Sequence, residues 1–432
     1  MYNKQIFSKL KLFAATSSAQ YVSMLVGVCG LIITVAKFGV YGRGEYAVAY
    51  SIVSTFGLLF GWSLGRSAIY FIKNTKLTAK EFFVSHLISI MLLFLLLMVS
   101  AILIFLMFLW LLPSFKGDVE PLYLMIMLVS LPYTMWQFCG TFFYAQVSKI
   151  GVQSIVVVIN RVLLLILLVI LIYCYDYNLV WLFIIFSGIN LLSFLVELLI
   201  FFFLIRPKCR INLAFMIKLV TKGGVVHLDS VFGTFIFSTN VIFVNYVLGT
   251  ESAGVYSIVI QFHSLLFILP TAGLMLMQKE LAVMGLKCVR RDFLLYFSAC
   301  ILLVLMSIPF VYYAIYLIFL LSDKQSGHQL EVFYLFLGIL PAFLLMSATQ
   351  ILNPVLIYLN KINELLKYTL ILSVFNIVVL VICLKYIGLF GSVLAITTTS
   401  FAMLLVYFWL LKLYKNNLKS IGQVYEEKIT DY

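Results

Sequence analysis

Two stretches of the sequence, EYAVAYSIV at residues 45–53 and ESAGVYSIV at residues 251–259, are nearly the same and lie half a chain apart. Six of the nine positions are identical, and Phe56 and Phe262 extend the match at the same offset of 206 residues. The identities include Glu, Tyr and Ser, so they exceed what two segments rich in Leu, Ile and Val share by chance. In a chain of 432 residues this offset indicates that one half duplicates the other.

The chain is too apolar for a water-soluble protein. Hydrophobic residues make up 64% of it and charged residues only 10%, whereas a soluble domain contains about 45–50% and about 25%, respectively. Twelve apolar runs are each long enough to cross about 30 Å of hydrocarbon as a helix. These runs lie near residues 12–37, 45–72, 82–112, 121–147, 151–175, 179–205, 217–248, 253–276, 293–321, 332–359, 364–386 and 389–411.

The basic residues between the runs predict the orientation in the membrane. With the N-terminus in the cytoplasm, 22 Lys and Arg residues fall on the cytoplasmic side and 5, including Arg43, fall on the outer side. The acidic residues divide evenly, seven to each side, as expected if only Lys and Arg set the topology. Both termini are therefore predicted to be cytoplasmic, and the net charge of +13 requires no nucleic-acid partner.

The repeat then predicts the architecture. Its two copies lead into the second and the eighth run, so six membrane crossings separate them and both halves cross in the same direction. We expect an all-α integral membrane protein with twelve transmembrane helices in two six-helix bundles, related by a parallel pseudo-two-fold repeat. The predicted parts are an N-terminal bundle (1–206), a cytoplasmic linker (207–216), a C-terminal bundle (217–411) and a cytoplasmic tail (412–432).

Three stretches resemble a known family: VYGRGEYAVAYSIVSTFGLLFGWSLGRSAIYF (40–71), VLGTESAGVYSIVIQFHSLL (247–266) and YIGLFGSVLAITTTS (386–400). They are similar to the second, eighth and last spans of the polysaccharide-repeat-unit flippases (Wzx type). These proteins belong to the multidrug/oligosaccharidyl-lipid/polysaccharide exporter superfamily.

The resemblance implies a transporter of the bacterial inner membrane and no enzyme. Such a flippase moves a polyprenyl-diphosphate-linked oligosaccharide, the repeat unit of an O-antigen or capsule, from the cytoplasmic to the periplasmic leaflet by alternating access. Besides this substrate and membrane lipid, the resemblance implies an O-antigen polymerase and a chain-length regulator as partners. Neither a cofactor nor a metal is expected.

Two other functions remain open on the sequence. An ion-coupled multidrug or small-solute antiporter of the same superfamily would be favoured by a narrow, anionic cavity. A membrane glycosyltransferase or polymerase would need a pair of catalytic carboxylates near the outer face. The longest outer loop, SDKQSGHQLE at about 322–331, contains Asp323, His328 and Glu331, which we interpret as solvated loop residues. The sequence has no GxxxxGK[ST] phosphate-binding motif, which argues against an ATP-driven pump.

Four ionisable residues fall inside the predicted spans: Arg66, Arg161, Glu197 and Asp229. A charge at a helix centre costs about 2.5–3.5 kcal/mol on insertion scales, so each is expected to be paired or to face water. Their depths allow two ion pairs, Arg66 with Asp229 between the halves and Arg161 with Glu197 within the first half. The family's cavity is generally cationic, so the resemblance implies substrate binding by Arg66 and Arg161, the two arginines inside spans, because guanidinium binds phosphate oxygens in pairs. Both roles remain open.

Two histidines and two lysines complete the candidate site. His263 lies about 18 Å along its helix from the outer face, near the midplane, where it is either a substrate-binding or titrating group or a satisfied core residue. His227 is a candidate gating residue, and its spacing of two from Asp229 directs the two side chains to different faces. Lys218 and Lys222 lie at the predicted cytoplasmic mouth, where they either attract the substrate head group or reach toward lipid phosphates.

Reporter fusions test the predicted orientation, because a topology reporter is active on one side of the membrane only. A single fusion on the wrong side would contradict the six-plus-six arrangement. We expect an outer location near residues 118, 176, 250 and 325, and a cytoplasmic location near residues 76, 212, 287 and 363.

Overall fold

The computed structural model describes residues 2–62, 64–73, 77–111, 119–147, 149–174, 178–208, 210–284, 286, 289–322, 326–359 and 361–430. These residues form α-helices joined by short turns. In chain order the helices are α1 (Tyr2–Phe60), α2 (Leu64–Lys73), α3 (Ala79–Leu111), α4 (Pro121–Leu128), α5 (Leu131–Gln146), α6 (Ile150–Cys174), α7 (Leu179–Ile205), α8 (Leu213–Ser238), α9 (Asn240–Leu248), α10 (Thr250–Leu266), α11 (Ile268–Met284), α12 (Val289–Leu320), α13 (Gln329–Tyr358), α14 (Ile362–Ile387) and α15 (Phe390–Thr430).

The helices confirm an all-α, multi-pass membrane protein. Within the described ranges, nine helical stretches are long and apolar enough to cross a membrane, or ten when the bent pair of α4 and α5 counts as one span. The long α1 counts once in that total, although it holds two apolar runs joined at Gly39, whose φ of 69° breaks the helix. By position the helices follow the twelve runs in their predicted order, and α8 and α9 together cover the run near residues 217–248.

The outer surface is the one expected of a protein that lipid surrounds. Large apolar side chains point outward, among them Trp110 (80% exposed) and Phe203 (77% exposed). A water-soluble protein rarely exposes contiguous apolar surface of this extent. Hydrocarbon, which solvates apolar side chains, explains it.

The two copies of the repeat cross each other at close range. The first copy lies in α1, and the second begins α10 directly after Gly249, whose φ is 88°. A Cβ atom on Gly44 would lie 2.0 Å from the carbonyl oxygen of Thr250, and one on Gly254 would lie 2.0 Å from that of Val40. Gly44 and Thr250 occupy equivalent positions of the repeat, so the pseudo-two-fold axis passes beside this contact. We call this end of the protein the repeat end.

At the opposite end, which we call the linker end, a short connection joins the two halves. It runs from Arg206 to Asn212, between α7 and α8. The Lys208 N–H donates to the Val84 carbonyl (2.8 Å), and the Asn212 N–H donates to the Ser89 hydroxyl (2.8 Å). The Asn212 side chain also caps α8 by accepting from an N–H of its first turn. The connection is thereby attached to α3.

Replacing either crossing glycine tests the contact between the copies. Gly44→Ala and Gly254→Ala should each destabilise the protein by about 1–3 kcal/mol, because a methyl group overpacks a backbone contact. The matched control is Gly188→Ala in α7, where a new Cβ would meet no described atom within 4 Å. The measurement is the apparent melting temperature of the purified proteins in one detergent. Equal melting temperatures for Gly44→Ala and the control would contradict the close crossing.

Candidate functional site

A cavity of about 310 Å³ lies beside the crossing, and its walls come from both halves. The first half contributes α1, α6 and α7, and the second half contributes α9 and α10. The wall carries hydroxyl and amide groups from both copies of the repeat and from their neighbours. The polar lining residues other than arginine and tyrosine are Ser23, Thr34, Ser51, Ser54, Ser257, Gln261 and Ser264.

Two arginines give this cavity its charge. Arg43 of α1 donates from Nε to the Ser257 hydroxyl of α10 (3.1 Å), and its guanidinium carbon lies 5.1 Å from the centre of the Tyr46 ring. Arg161 of α6 lines the same cavity and an adjoining one of about 120 Å³. Among the described residues no carboxylate lines either cavity. The space between the halves is therefore cationic.

Arg43 is a site residue that the sequence pattern assigned to an outer loop. The assignment was wrong because the second span begins directly after Gly39, so that residues 40–45 are already helical. Because the predicted second span began too late, Arg43 was left out and only Arg66 and Arg161 were counted as arginines inside spans. A usable signal was present, since Arg43 precedes the first copy of the repeat by only two residues.

Arg161 and Glu197 do not form the predicted ion pair. Within the described chain no salt bridge joins them. Glu197 is fully buried, and its Oε2 accepts a hydrogen bond from the indole N–H of Trp136 (2.7 Å). The side chain that faces α7 is instead that of Asn160, whose amide contacts the Ser193 hydroxyl. Successive helical residues point about 100° apart, so Arg161 faces the cavity when Asn160 faces α7.

His227 and Trp62 join the two halves at the linker end. His227 of α8 is buried, its ring stacks on Trp62 with 5.0 Å between centroids, and its Nε2–H donates to the Leu59 carbonyl (2.8 Å). The Leu59 carbonyl is in the last turn of α1, where carbonyls lack intrahelical partners. Trp62, in the break after α1, donates from its indole N–H to the Val220 carbonyl of α8 (2.9 Å). These contacts join the two halves at the linker end.

The remaining predicted residues lie apart from the arginines or outside the described residues. His263 of α10 is buried and packs edge-on against Phe267, with 4.8 Å between ring centroids. It lines a second cavity, of about 470 Å³, in the C-terminal half. Lys218 is exposed on α8. The side chains of Arg66, Lys222 and Asp229 lie outside the described residues, so the pair Arg66–Asp229 stays a prediction.

Comparison with solved structures places the fold among known transporters. An inward-facing multidrug-resistance MATE family transporter of the MOP superfamily aligns at 15% identity and a TM-score of 0.69, covering 92% of this chain and 96% of its own. Lipid II flippase MurJ, in an inward closed conformation, aligns at 14% identity and a TM-score of 0.71, covering 98% and 93%. A MOP superfamily transporter from Pyrococcus furiosus aligns at 14% identity and a TM-score of 0.63, covering 95% and 97%. At these identities the likeness shows the fold alone.

The sequence comparison gives the family. No curated protein matches the sequence significantly. The profile of a family described as polysaccharide biosynthesis protein matches residues 10–276, which is more than half of the 432 residues. This match agrees with the resemblance seen in the sequence, and the fold is similar to that of solved MOP superfamily proteins: the chain belongs to the polysaccharide biosynthesis protein family.

Proposed function

We propose that the protein is a flippase that moves a polyprenyl-diphosphate-linked oligosaccharide from the cytoplasmic to the periplasmic leaflet of a bacterial inner membrane. The observation that carries this proposal is the cationic cavity between the halves, with Arg43 and Arg161 in its wall. A guanidinium donates two parallel hydrogen bonds to phosphate oxygens, and a diphosphate offers oxygens for both arginines. We propose the repeat unit of an O-antigen or capsule as the oligosaccharide, as the sequence resemblance implies.

The structure also supports a way to couple binding to opening. Arg43 donates to Ser257 across the halves near the repeat end. A hydrogen bond to a charged group contributes about 1.5–3 kcal/mol. A diphosphate that binds Arg43 replaces this bond, and so it favours the state in which α1 and α10 separate. A ligand can shift such an equilibrium only through this kind of differential contact.

The two ends then act as alternate barriers around the cavity. The close crossing of α1 and α10 closes the repeat end, and the Trp62 and His227 contacts close the linker end. The linker-end hydrogen bonds join neutral groups and are each worth about 0.5–1.5 kcal/mol. These two hydrogen bonds therefore add little to the cost of opening this end to admit substrate. With the positive-inside orientation, the linker end faces the cytoplasm.

The cationic lining of the cavity argues against an antiporter of cationic drugs, which would be expected to have an acidic cavity.

A glycosyltransferase or polymerase needs free carboxylates near the outer face. His328, expected to be a solvated loop residue, instead bridges two carboxylates at the repeat end, those of Glu331 (2.9 Å) and Glu251 (3.2 Å). Neither carboxylate lines the cavities of about 310 Å³ and 470 Å³. They are engaged in a contact between α10 and α13.

The His328 bridge depends on protonation. Partial burial by itself would lower the pKa of His328, but its hydrogen bonds to Glu331 and Glu251 raise that pKa above its usual value. The bridge is therefore strongest when the imidazole is protonated, and it weakens as the pH rises through this pKa. This behaviour is that of a structural contact, and it engages both Glu331 and Glu251; Asp323 lies outside the described residues.

A deletion strain tests the function. We expect complete lipid-linked repeat units to accumulate in the cytoplasmic leaflet and surface polysaccharide to be lost, because the sugar-diphosphate head group cannot cross hydrocarbon without losing its hydrogen bonds. Plasmid-borne Arg43→Ala and Arg161→Ala should restore export about tenfold less well than the wild type, from the loss of one charged contact each. The matched control, Arg290→Ala, removes an exposed arginine and should restore export fully. Complete units in the outer leaflet of the deletion strain would contradict the proposal, whereas incomplete lipid-linked units would indicate a glycosyltransferase.

The barrier at the linker end can be tested separately by cysteine labelling. In a cysteine-free background with Ser54→Cys in the cavity wall, Trp62→Ala should increase the rate of labelling by a membrane-impermeant thiol reagent in inside-out vesicles. The reason is that the indole supplies both the ring contact with His227 and the bond to Val220. The matched control is Trp181→Ala, because Trp181 is half exposed on the lipid-facing side of α7. Equal rates in the two variants would mean that Trp62 is no barrier.

A further inference from the structure

The second cavity, of about 470 Å³, lies within the C-terminal half and differs in chemistry from the cationic one. Its wall comes mainly from α10, α13, α14 and α15. Ile260 and Ser264 of α10 line both cavities, so the two spaces adjoin at that helix. No charged residue of the described chain lines the second cavity, and its mainly apolar wall carries a small number of amide and hydroxyl groups. Its volume is in the range of small-molecule sites, about 300–1,000 Å³.

Two buried polar atoms in this wall have no hydrogen-bond partner among the described residues: His263 Nε2 and Gln350 Oε1. His263 is only 5% exposed. The orientation of the Gln350 amide follows from its neighbour. The Thr271 hydroxyl donates to the Phe267 carbonyl (2.8 Å), so its oxygen must accept from Gln350 Nε2 (3.0 Å). The Gln350 carbonyl oxygen is therefore left as a buried acceptor, which is costly unless a ligand satisfies it.

The hydroxyl groups of the wall are acceptors as well. Thr349, Thr369 and Ser400 each donate to a backbone carbonyl of their own helix, at 2.8, 3.0 and 2.7 Å. With its proton committed, each hydroxyl oxygen offers only lone pairs to the cavity. A wall of neutral acceptors fits a ligand that brings O–H or N–H donors, and it offers nothing to balance the charge of an anion.

We infer that this compartment binds the uncharged sugar part of the substrate while Arg43 and Arg161 bind its diphosphate. Sugars present several hydroxyl donors on a compact frame, which matches the wall. The shared lining at Ile260 and Ser264 lets one molecule occupy both spaces. This inference rests on the proposed flippase function and adds to it a saccharide subsite with Gln350 and His263 as its specificity-determining residues.

Calorimetric titration of the full-length protein in lipid nanodiscs tests the subsite. The probes are farnesyl diphosphate and farnesyl diphosphate carrying one glucose, galactose or N-acetylglucosamine. We expect at least one glycosylated probe to bind the wild type about tenfold more tightly than farnesyl diphosphate, as a few added hydrogen bonds would produce. Gln350→Leu and His263→Phe should each remove most of this advantage and still bind farnesyl diphosphate, which also shows that they are folded.

Two controls separate the subsite from the diphosphate site. Arg161→Ala should weaken all four probes by a similar factor. Thr398→Val removes a hydroxyl of α15 that lines neither large cavity, and it should leave every affinity unchanged.

The outcomes distinguish this inference from the proposed function. If farnesyl diphosphate binds but no sugar adds affinity, or if the advantage of the sugar survives both Gln350→Leu and His263→Phe, the subsite is overturned and diphosphate binding stands. If farnesyl diphosphate does not bind at all, the proposed function fails and the subsite fails with it. Binding of Na⁺ alone that is lost in Gln350→Leu would assign the compartment to a cation and overturn the inference.

Discussion

The close crossing of α1 and α10 is the constraint on which the rest of the structure depends. The backbones touch where Gly44 meets the Thr250 carbonyl and Gly254 meets the Val40 carbonyl. A contact this short leaves no room for side chains, so any cavity between the halves must lie farther along the two helices. Equivalent positions of the repeat meet there, and both α1 and α10 line the cavity beside the crossing. In the proposed mechanism the same crossing is the barrier at the repeat end, and it opens only if the halves move apart.

Breaks in the helices decide which side chains face the space between the halves. The break at Gly39 starts the second span early and brings Arg43 into the cavity. The break after Phe60 releases Trp62 from the helix, where it crosses to α8 and meets His227. In lipid, a broken helix needs partners for its free backbone groups, and the His227 N–H supplies one to the Leu59 carbonyl. The sites of breakage and the contacts between the halves are therefore linked.

The sequence predicts the all-α fold and the order of the spans, because each apolar run is long enough to cross the membrane as a helix. It also predicts the relation between the halves, because the two copies of the repeat lie six crossings apart. The site could be predicted only in part. Arg161 lies in the cavity as its charge in a span suggested, but its pairing with Glu197 was wrong because depth along a helix says nothing about which face a residue occupies. Arg43 was missed because the start of its span depends on the φ of one glycine. Gln350 carried no signal, since an amide in a span becomes informative only when its neighbours are known.

The buried polar groups of the membrane-spanning helices divide by whether the protein itself satisfies them. The amide of Asn376 donates to Asn240 (3.3 Å) and its oxygen accepts from Thr399 (3.1 Å), so this side chain joins α9, α14 and α15 within one half. Arg161, by contrast, faces the cavity, and His263 Nε2 and Gln350 Oε1 have no partner in the described part of the chain. Groups of the first kind stabilise a bundle in one arrangement and would resist any ligand that competed for them. Groups of the second kind form a hydrogen bond or an ion pair only when a ligand binds, because burial has already removed the water that would otherwise satisfy them. The proposed flippase needs both, since each half must stay rigid while the space between the halves stays ready to exchange one set of hydrogen-bond partners for another.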